Sequence, residues 1–164
     1  MRRLAGFGKL SYALLAAGII ILAYYISANW YQVSLIHGDS MYPAYHNLQV
    51  VLIDRHSGGY TYDDVVVFTC DGLDAVLVKR IAACPGDRVT IREGTLYVND
   101  TISSVFAREH MFAYAGTAGK VISLGEGEYF VIGDNVEESR DSRYAQVGCV
   151  AESSMIGRVI PHMG

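Results

Sequence analysis

The sequence predicts a mainly β protein: an antiparallel β-sheet domain behind one N-terminal membrane-spanning helix. Three observations carry that reading. An uncharged, proline-free run of 21 residues, Leu10–Trp30, follows a cationic start. From Val33 onward, short apolar runs are broken by Gly, Pro, Asp and Asn. No stretch after residue 31 sustains a 3.6-residue amphipathic period. The organisation expected is therefore a cytoplasmic start at 1–9, a transmembrane helix at 10–30 and an extracytoplasmic β domain at 31–164.

The N-terminal element comes first. A helix of 21 residues spans roughly 31 Å, close to the ~30 Å hydrocarbon core of a bilayer. Tyr24, Tyr25, Trp30 and Tyr31 cluster at its C-terminal end, where an interfacial aromatic belt belongs. Arg2, Arg3 and Lys9 precede it without any acidic residue, which places the N-terminus in the cytoplasm and the rest outside. A cleavable secretory signal is the alternative, but its apolar run is usually only ~7–15 residues. The best cleavage position would also need Ile26 and Ala28 as small residues, and Ile26 is too large. An uncleaved anchor is favoured.

The β-domain follows. Leu48–Asp54, Val65–Thr69, Ala75–Ala83, Val89–Arg92, Leu96–Val98, Tyr129–Ile132 and Ile156–Ile160 read as strands. Turn signals separate them, among them Ser57-Gly58-Gly59, Pro85-Gly86-Asp87 and Gly125-Glu126-Gly127. Val105–Gly119 reads as a loop or an inserted hairpin. With 51% hydrophobic residues in 164, the chain has material for one cored domain rather than a disordered tail. The net charge is −4, and without the three basic residues before position 10 it becomes −7. A body this acidic excludes a phosphate-backbone binder, so no nucleic-acid partner is expected. Cys70, Cys84 and Cys149 are odd in number and contain no CxxC, which argues against a zinc site or a full disulfide framework. Two of them paired, or all three as free thiols, are both compatible with the sequence. His37, His46, His56, His110 and His162 show no metal-ligand spacing and read as surface or packing residues.

Three stretches concentrate reactive side chains. In Gly38-Asp39-Ser40-Met41-Tyr42-Pro43, a serine sits in a constrained turn suited to presenting a nucleophile, although such residues also make ordinary turns. In Ala75–Ala83, strand alternation places Lys79 on one face with Ala75, Leu77, Ile81 and Ala83. Desolvation there lowers a lysine's pKa, and a neutral amine is a candidate general base. A lysine snorkelling into solvent from an edge strand fits the pattern equally well. In Gly133–Arg143, six charged side chains of both signs alternate with Ser and Asn, as they would in any solvated ion-paired loop.

Together the three stretches resemble the boxes of bacterial type I signal peptidases, membrane-anchored Ser/Lys endopeptidases, and especially the small Gram-positive members. Gly38–Pro43 is similar to the nucleophile box, Val78–Ile81 through Pro85-Gly86-Asp87 to the general-base box, and Gly133–Arg143 to the last box. The resemblance implies an antiparallel β catalytic domain of signal-peptidase type. It implies Ser40 as nucleophile, Lys79 as general base, and Ser139 as the hydroxyl that orients the lysine amine. Asp141 and Arg143 would brace the site, with Arg80 following the lysine. It further implies acyl transfer without metal or cofactor, and signal peptides of exported preproteins as substrates. The enzyme would lie in the bacterial plasma membrane as a single-pass protein, against the lipid bilayer and near the translocation machinery. Ten residue steps separate Trp30 from Ser40, at most about 33–36 Å, which tethers the nucleophile near the outer surface. Shallow pockets for small residues would be lined by Ile36, Met41, Leu77 and Val78.

Four positions depart from the family pattern. Gly38 stands where some members carry a serine that helps form the oxyanion hole. Ala44 replaces a usual Thr, His46-Asn47 stands near a usual Gly-Asp, and Val136 replaces an Arg. The hole is expected to use the Ser40 N–H with a second donor, and a serine restored at 38 is expected to keep or modestly raise the rate. The alternatives are a pilin-processing or mitochondrial inner-membrane Ser/Lys peptidase, and a non-enzymatic anchored β-domain. A self-cleaving repressor would carry a DNA-binding domain in place of the anchor, and the endoplasmic-reticulum enzyme would carry His at position 79.

Overall fold

The protein is described here from a computed structural model that covers residues 5–56, 58–106 and 111–161. Arg2, Arg3, His110 and His162 lie outside the described residues, as do Ser57 and residues 107–110. Helix α1 runs Ala5–Trp30. Its side chains are described for residues 11–25 and 29–30, and among the described residues no helix is long and apolar enough to cross a membrane.

The rest of the described chain is built from short strands: β1 (Tyr31–Leu35), β2 (Val50–Asp54), β3 (Val65–Cys70), β4 (Ala75–Ala83), β5 (Arg88–Arg92), β6 (Thr95–Val98), β7 (Thr101–Ile102), β8 (Ile122–Ser123), β9 (Glu128–Ile132), β10 (Val150–Ala151) and β11 (Met155–Val159). They form a seven-stranded sheet in the order β1-β2-β11-β3-β4-β9-β10 and a four-stranded sheet in the order β7-β6-β5-β8. Every described pairing is antiparallel, as the short turn-separated runs predicted.

The seven expected strands correspond to β2, β3, β4, β5, β6, β9 and β11. β4 keeps its expected bounds and the others shift at an end by a residue or two; β2 opens at Val50 because Leu48 turns at φ +63°. Four strands escaped the sequence reading. Three of them have only two residues, too short for any period to show. The fourth, β1, starts directly after Trp30, where Tyr31 reads as the end of the aromatic belt.

Apolar runs on β3 and β9 are explained by burial on both faces of the large sheet. Val65 and Val67 pack with Ile36, Met41, Tyr45, Ile53 and Val159. Val66 and Phe68, one residue out of phase, pack with Ile81, Tyr129 and Val131 on the opposite side. Phe130 and Ile132 point instead into a third cluster with Val89, Ile91 and Leu96, which fastens the small sheet to the large one. The Val105–Gly119 segment holds no strand among its described residues. It delivers Phe106, Phe112 and Ala118 to that third cluster, the two rings meeting edge-on at 6.0 Å.

Candidate active site

Ser40 lies in the turn between β1 and β2, and Lys79 in the middle of β4. The turn is drawn against the sheet by Met41, whose side chain is 1% exposed, and closed by hydrogen bonds from Tyr42 N–H to the Asp39 carbonyl and from Tyr45 N–H to the Met41 carbonyl. Asn135 N–H donates to the Ser40 carbonyl at 3.0 Å, tying the turn to the loop after β9.

Strand register decides the surroundings of Lys79. It pairs with Val66, which is fully buried, and is flanked along β4 by Leu77 and Ile81 of the same cluster. The expected company of Ala83 is not found. A register shift between Ile81 and Ala83 breaks the alternation and sends Ala83 to the cluster around Phe130. Lys79 is 3% exposed, so the snorkelling alternative fails. Its Nζ donates to Ser40 Oγ at 2.8 Å and to the Val78 carbonyl at 2.9 Å. Burial pushes its pKa down from 10.5 to about 8, against the opposing pull of Asp141 and Asp134.

Behind the pair, Asp141 and Arg143 form a buried fork. Arg143 Nε and Nη2 donate to the two carboxylate oxygens of Asp141, each at 2.8 Å. The guanidinium also donates to the Val136 carbonyl at 2.7 Å and to the carbonyls of Ser139 and Tyr114. Val136 thus serves through its backbone, which is why a valine is accommodated there. Asp141 in turn accepts from Gly133 N–H at 3.2 Å. Arg80 closes the other side, donating to both oxygens of Asp134 at 2.7 and 2.5 Å and to Asp63 at 3.0 Å.

Ser139 is brought to the site, but the hydrogen bond expected from it to the Lys79 amine is not formed. Its hydroxyl is buried and has no partner among the described residues. It sits beside Gly133, where a Cβ would collide with Ser139 Oγ and the Ser40 carbonyl oxygen. Glycine at 133 is therefore what lets the Ser139 and Ser40 segments meet.

Several supporting residues escaped the sequence reading. Asp134 is the carboxylate that holds Arg80. Ser142 is fully buried and accepts from Val131 N–H at 3.0 Å. Asn47, noted only as a departure, accepts from Gly38 N–H at 2.9 Å and clamps the turn. The signal of Asp134 and Ser142 was the dense mixture of charge and hydroxyl in 133–143, which reads equally as a solvated loop. Gly38 has φ +86°, so a serine there meets backbone strain, which works against the expectation of an unharmed or improved rate.

A cleft of about 300 Å³ opens over the pair. Ile36, Met41, Leu77 and Val78 line it together with Ser40 and Lys79, and His37, expected at the surface or in packing, borders it. Cys70, Cys84 and Cys149 are all free thiols, and burial pushes Cys84 up to about 11. Among the described residues no cluster of His, Cys, Asp and Glu is arranged to hold a metal ion. A buried, uncharged-prone amine in contact with a hydroxyl at a cleft floor is equipped for nucleophilic acyl transfer.

Comparison with known proteins gives the same direction. The family described as signal peptidase, peptidase S26, matches residues 9–163. Signal peptidase I of Bacillus licheniformis is 32% identical over 134 residues, covering 76% of this chain and 72% of that protein. Signal peptidase IB of Staphylococcus aureus (strain Mu50 / ATCC 700699) is 32% identical over 145 residues, covering 76% and 73%. Among solved structures, a signal peptidase I from Enterococcus faecalis V583 superposes with a TM-score of 0.51 at 26% identity, over 63% of this chain and 98% of that one.

Proposed function

This chain belongs to the signal peptidase family, peptidase S26, and on that premise we propose that Ser40 and Lys79 are its catalytic dyad. It is a serine endopeptidase that cleaves signal peptides from preproteins. One observation carries the assignment of the dyad: the 2.8 Å contact between Lys79 Nζ and Ser40 Oγ inside an apolar setting that lowers the amine's pKa to about 8.

In the proposed mechanism neutral Lys79 takes the Ser40 proton as Oγ attacks the scissile carbonyl. The lysine returns that proton to the leaving amine as the acyl-enzyme forms, then activates the water that hydrolyses it. The Ser40 N–H makes no hydrogen bond among the described residues and is the first donor for the developing oxyanion. Asp141–Arg143 and Arg80–Asp134 hold the loop and strand that carry the pair, and touch neither reacting atom. Ser139 is assigned as a third partner of the amine once substrate fills the cleft. Its unsatisfied buried hydroxyl costs about 1–3 kcal/mol, which such a contact would remove. Ile36, Met41, Leu77 and Val78 are assigned to the pockets for small residues before the scissile bond.

The same proposal places residues 10–30 across the bacterial plasma membrane as a single pass, with 1–9 in the cytoplasm and 31–164 outside. The supporting facts are a 26-residue helix, uncharged from Leu10 onward, and the exposed apolar face of β1 and β2 next to it. Partners are then the lipid bilayer, emerging signal peptides and a nearby translocation machinery.

The test is incubation of the purified full chain with a preprotein, followed by N-terminal sequencing of the product. The expected result is one new N-terminus after the signal segment, abolished by Ser40→Ala in a folded protein. Product formation undiminished in Ser40→Ala would contradict the assignment.

A further inference from the structure

The passage from the N-terminal helix to the catalytic turn contains no linker. Trp30 is the last residue of α1 and Tyr31 the first of β1. Tyr31 is already in register with Asp54 of β2, and pairing continues without interruption to Leu35↔Val50. Beyond β1 the ladder is prolonged by Ile36 N–H donating to the Gln49 carbonyl and Leu48 N–H donating to the Ile36 carbonyl. Ile36 and His37 then line the cleft beside Ser40. The helix end is fastened to the same hairpin from the other side. Arg55 N–H donates to the Trp30 carbonyl at 2.8 Å, satisfying one of the carbonyls a helix leaves open at its C-terminus. The Trp30 indole stacks on the His56 imidazole with centroids 4.5 Å apart and planes inclined by 4°.

A flexible tether would let the cleft sample many heights and tilts. Here α1 instead continues into a hydrogen-bonded strand of five residues, which extends roughly 17 Å from the helix end. We propose that Trp30 and His56 are positioning residues that lock the anchor to the β1–β2 hairpin. They thereby fix the height of the Ser40 cleft above the bilayer and make the enzyme select substrates by the spacing between apolar segment and scissile bond. The inference rests on the membrane-spanning reading of α1. Neither residue lines the cleft, so they act on where the dyad is held and not on its chemistry.

The experiment uses full-length enzyme in two settings: a soluble signal-peptide substrate in detergent, and membrane-embedded preproteins co-reconstituted in phospholipid vesicles. The preproteins form a series with two to ten polar residues between apolar segment and cleavage site. Three variants are compared with the parent: a Gly-Ser-Gly insertion between Trp30 and Tyr31, His56→Ala, and His56→Phe, which keeps a stacking ring. In detergent all should retain kcat/KM within about twofold. In vesicles the parent should show a narrow optimum of spacer length. The insertion should flatten that optimum and lower the best rate about tenfold, since misplacing a reacting group by an ångström or more is costly. His56→Ala should move the same way to a smaller extent, and His56→Phe should restore the parent profile. A spacer profile unchanged by the insertion would overturn the proposal while leaving the anchor intact. Failure of the parent to float with vesicles would overturn both, and the flotation assay tells the two failures apart.

Discussion

Two buried cations lie within the same site and are treated in opposite ways. Lys79 and Arg143 are 3% and 2% exposed. Arg143 is gripped by the Asp141 carboxylate through two 2.8 Å bonds and by three carbonyls. Among the described residues Lys79 touches no carboxylate, and its two hydrogen-bond contacts are a hydroxyl and a carbonyl. Burial with a full set of acceptors keeps a charge and makes a brace. Burial without a carboxylate loosens the proton and makes a base. The lesson is that placement in the core does not distinguish the two roles; the presence of a counter-charge within bonding distance does.

The strongest way to break the contrast is to install the braced cation's chemistry at the reactive position. Lys79→Arg keeps a positive charge at every usable pH and therefore cannot accept the Ser40 proton. Turnover of a signal-peptide substrate should fall by about 10⁴-fold or more, with circular dichroism and thermal unfolding still cooperative. Turnover within tenfold of the parent would remove Lys79 from the chemistry.

The reciprocal change is to strip Arg143 of its counter-charge. Asp141→Asn leaves a buried guanidinium without a carboxylate and removes the charged acceptor of Gly133 N–H. Unfolding in urea should show a loss of about 3–5 kcal/mol. A loss below 1 kcal/mol would mean that the surrounding carbonyls alone hold the guanidinium.

The contrast also predicts that the reactive cation is a burden on stability. In the native state the Lys79 pKa is about 8, against 10.5 for the free side chain. Between these values the unfolded chain holds the proton and the native one does not, so raising the pH favours the fold. Below pH 8 the native state carries the full cost of the buried charge, about 3 kcal/mol. Lys79→Met should accordingly stabilise the protein by about 1–3 kcal/mol at pH 7, and the gain should shrink towards pH 10. Equal urea midpoints for parent and variant at pH 7 would show that the amine is not desolvated.

The smallest expected effect is at the turn. Gly38 holds φ +86° with open space where a Cβ would stand, so Gly38→Ser strains the backbone without a collision. A loss of about 1 kcal/mol in stability and a severalfold lower kcat/KM are expected. A rate above the parent would mean that an added hydroxyl outweighs that strain.

Most of the architecture was legible because it is local. Short apolar runs and turn residues mark β2 to β6, β9 and β11. Strand β1 was hidden because a tyrosine at a helix end has two readings, interfacial belt and first strand residue. At the site, Ser40 and Lys79 were legible as residue types in telling surroundings, whereas their contact depends on pairing across β3 and β4 and on the fold of a distant turn. The break in alternation at Ala83 comes from a bulge, which no period reports. Asp134 and Ser142 stayed anonymous because their partners, Arg80 and the Val131 N–H, are separated from them by 54 and 11 positions.

The most direct test of the central claim is the pH dependence of kcat/KM for the full chain on a soluble signal-peptide substrate between pH 6 and pH 10. A neutral Lys79 is required, so the rate should climb about tenfold per pH unit in the acidic limb and level off above an apparent pKa near 8. A profile that is flat across pH 6 to 9, or one whose rise persists unchanged in residual Lys79→Arg activity, would contradict it.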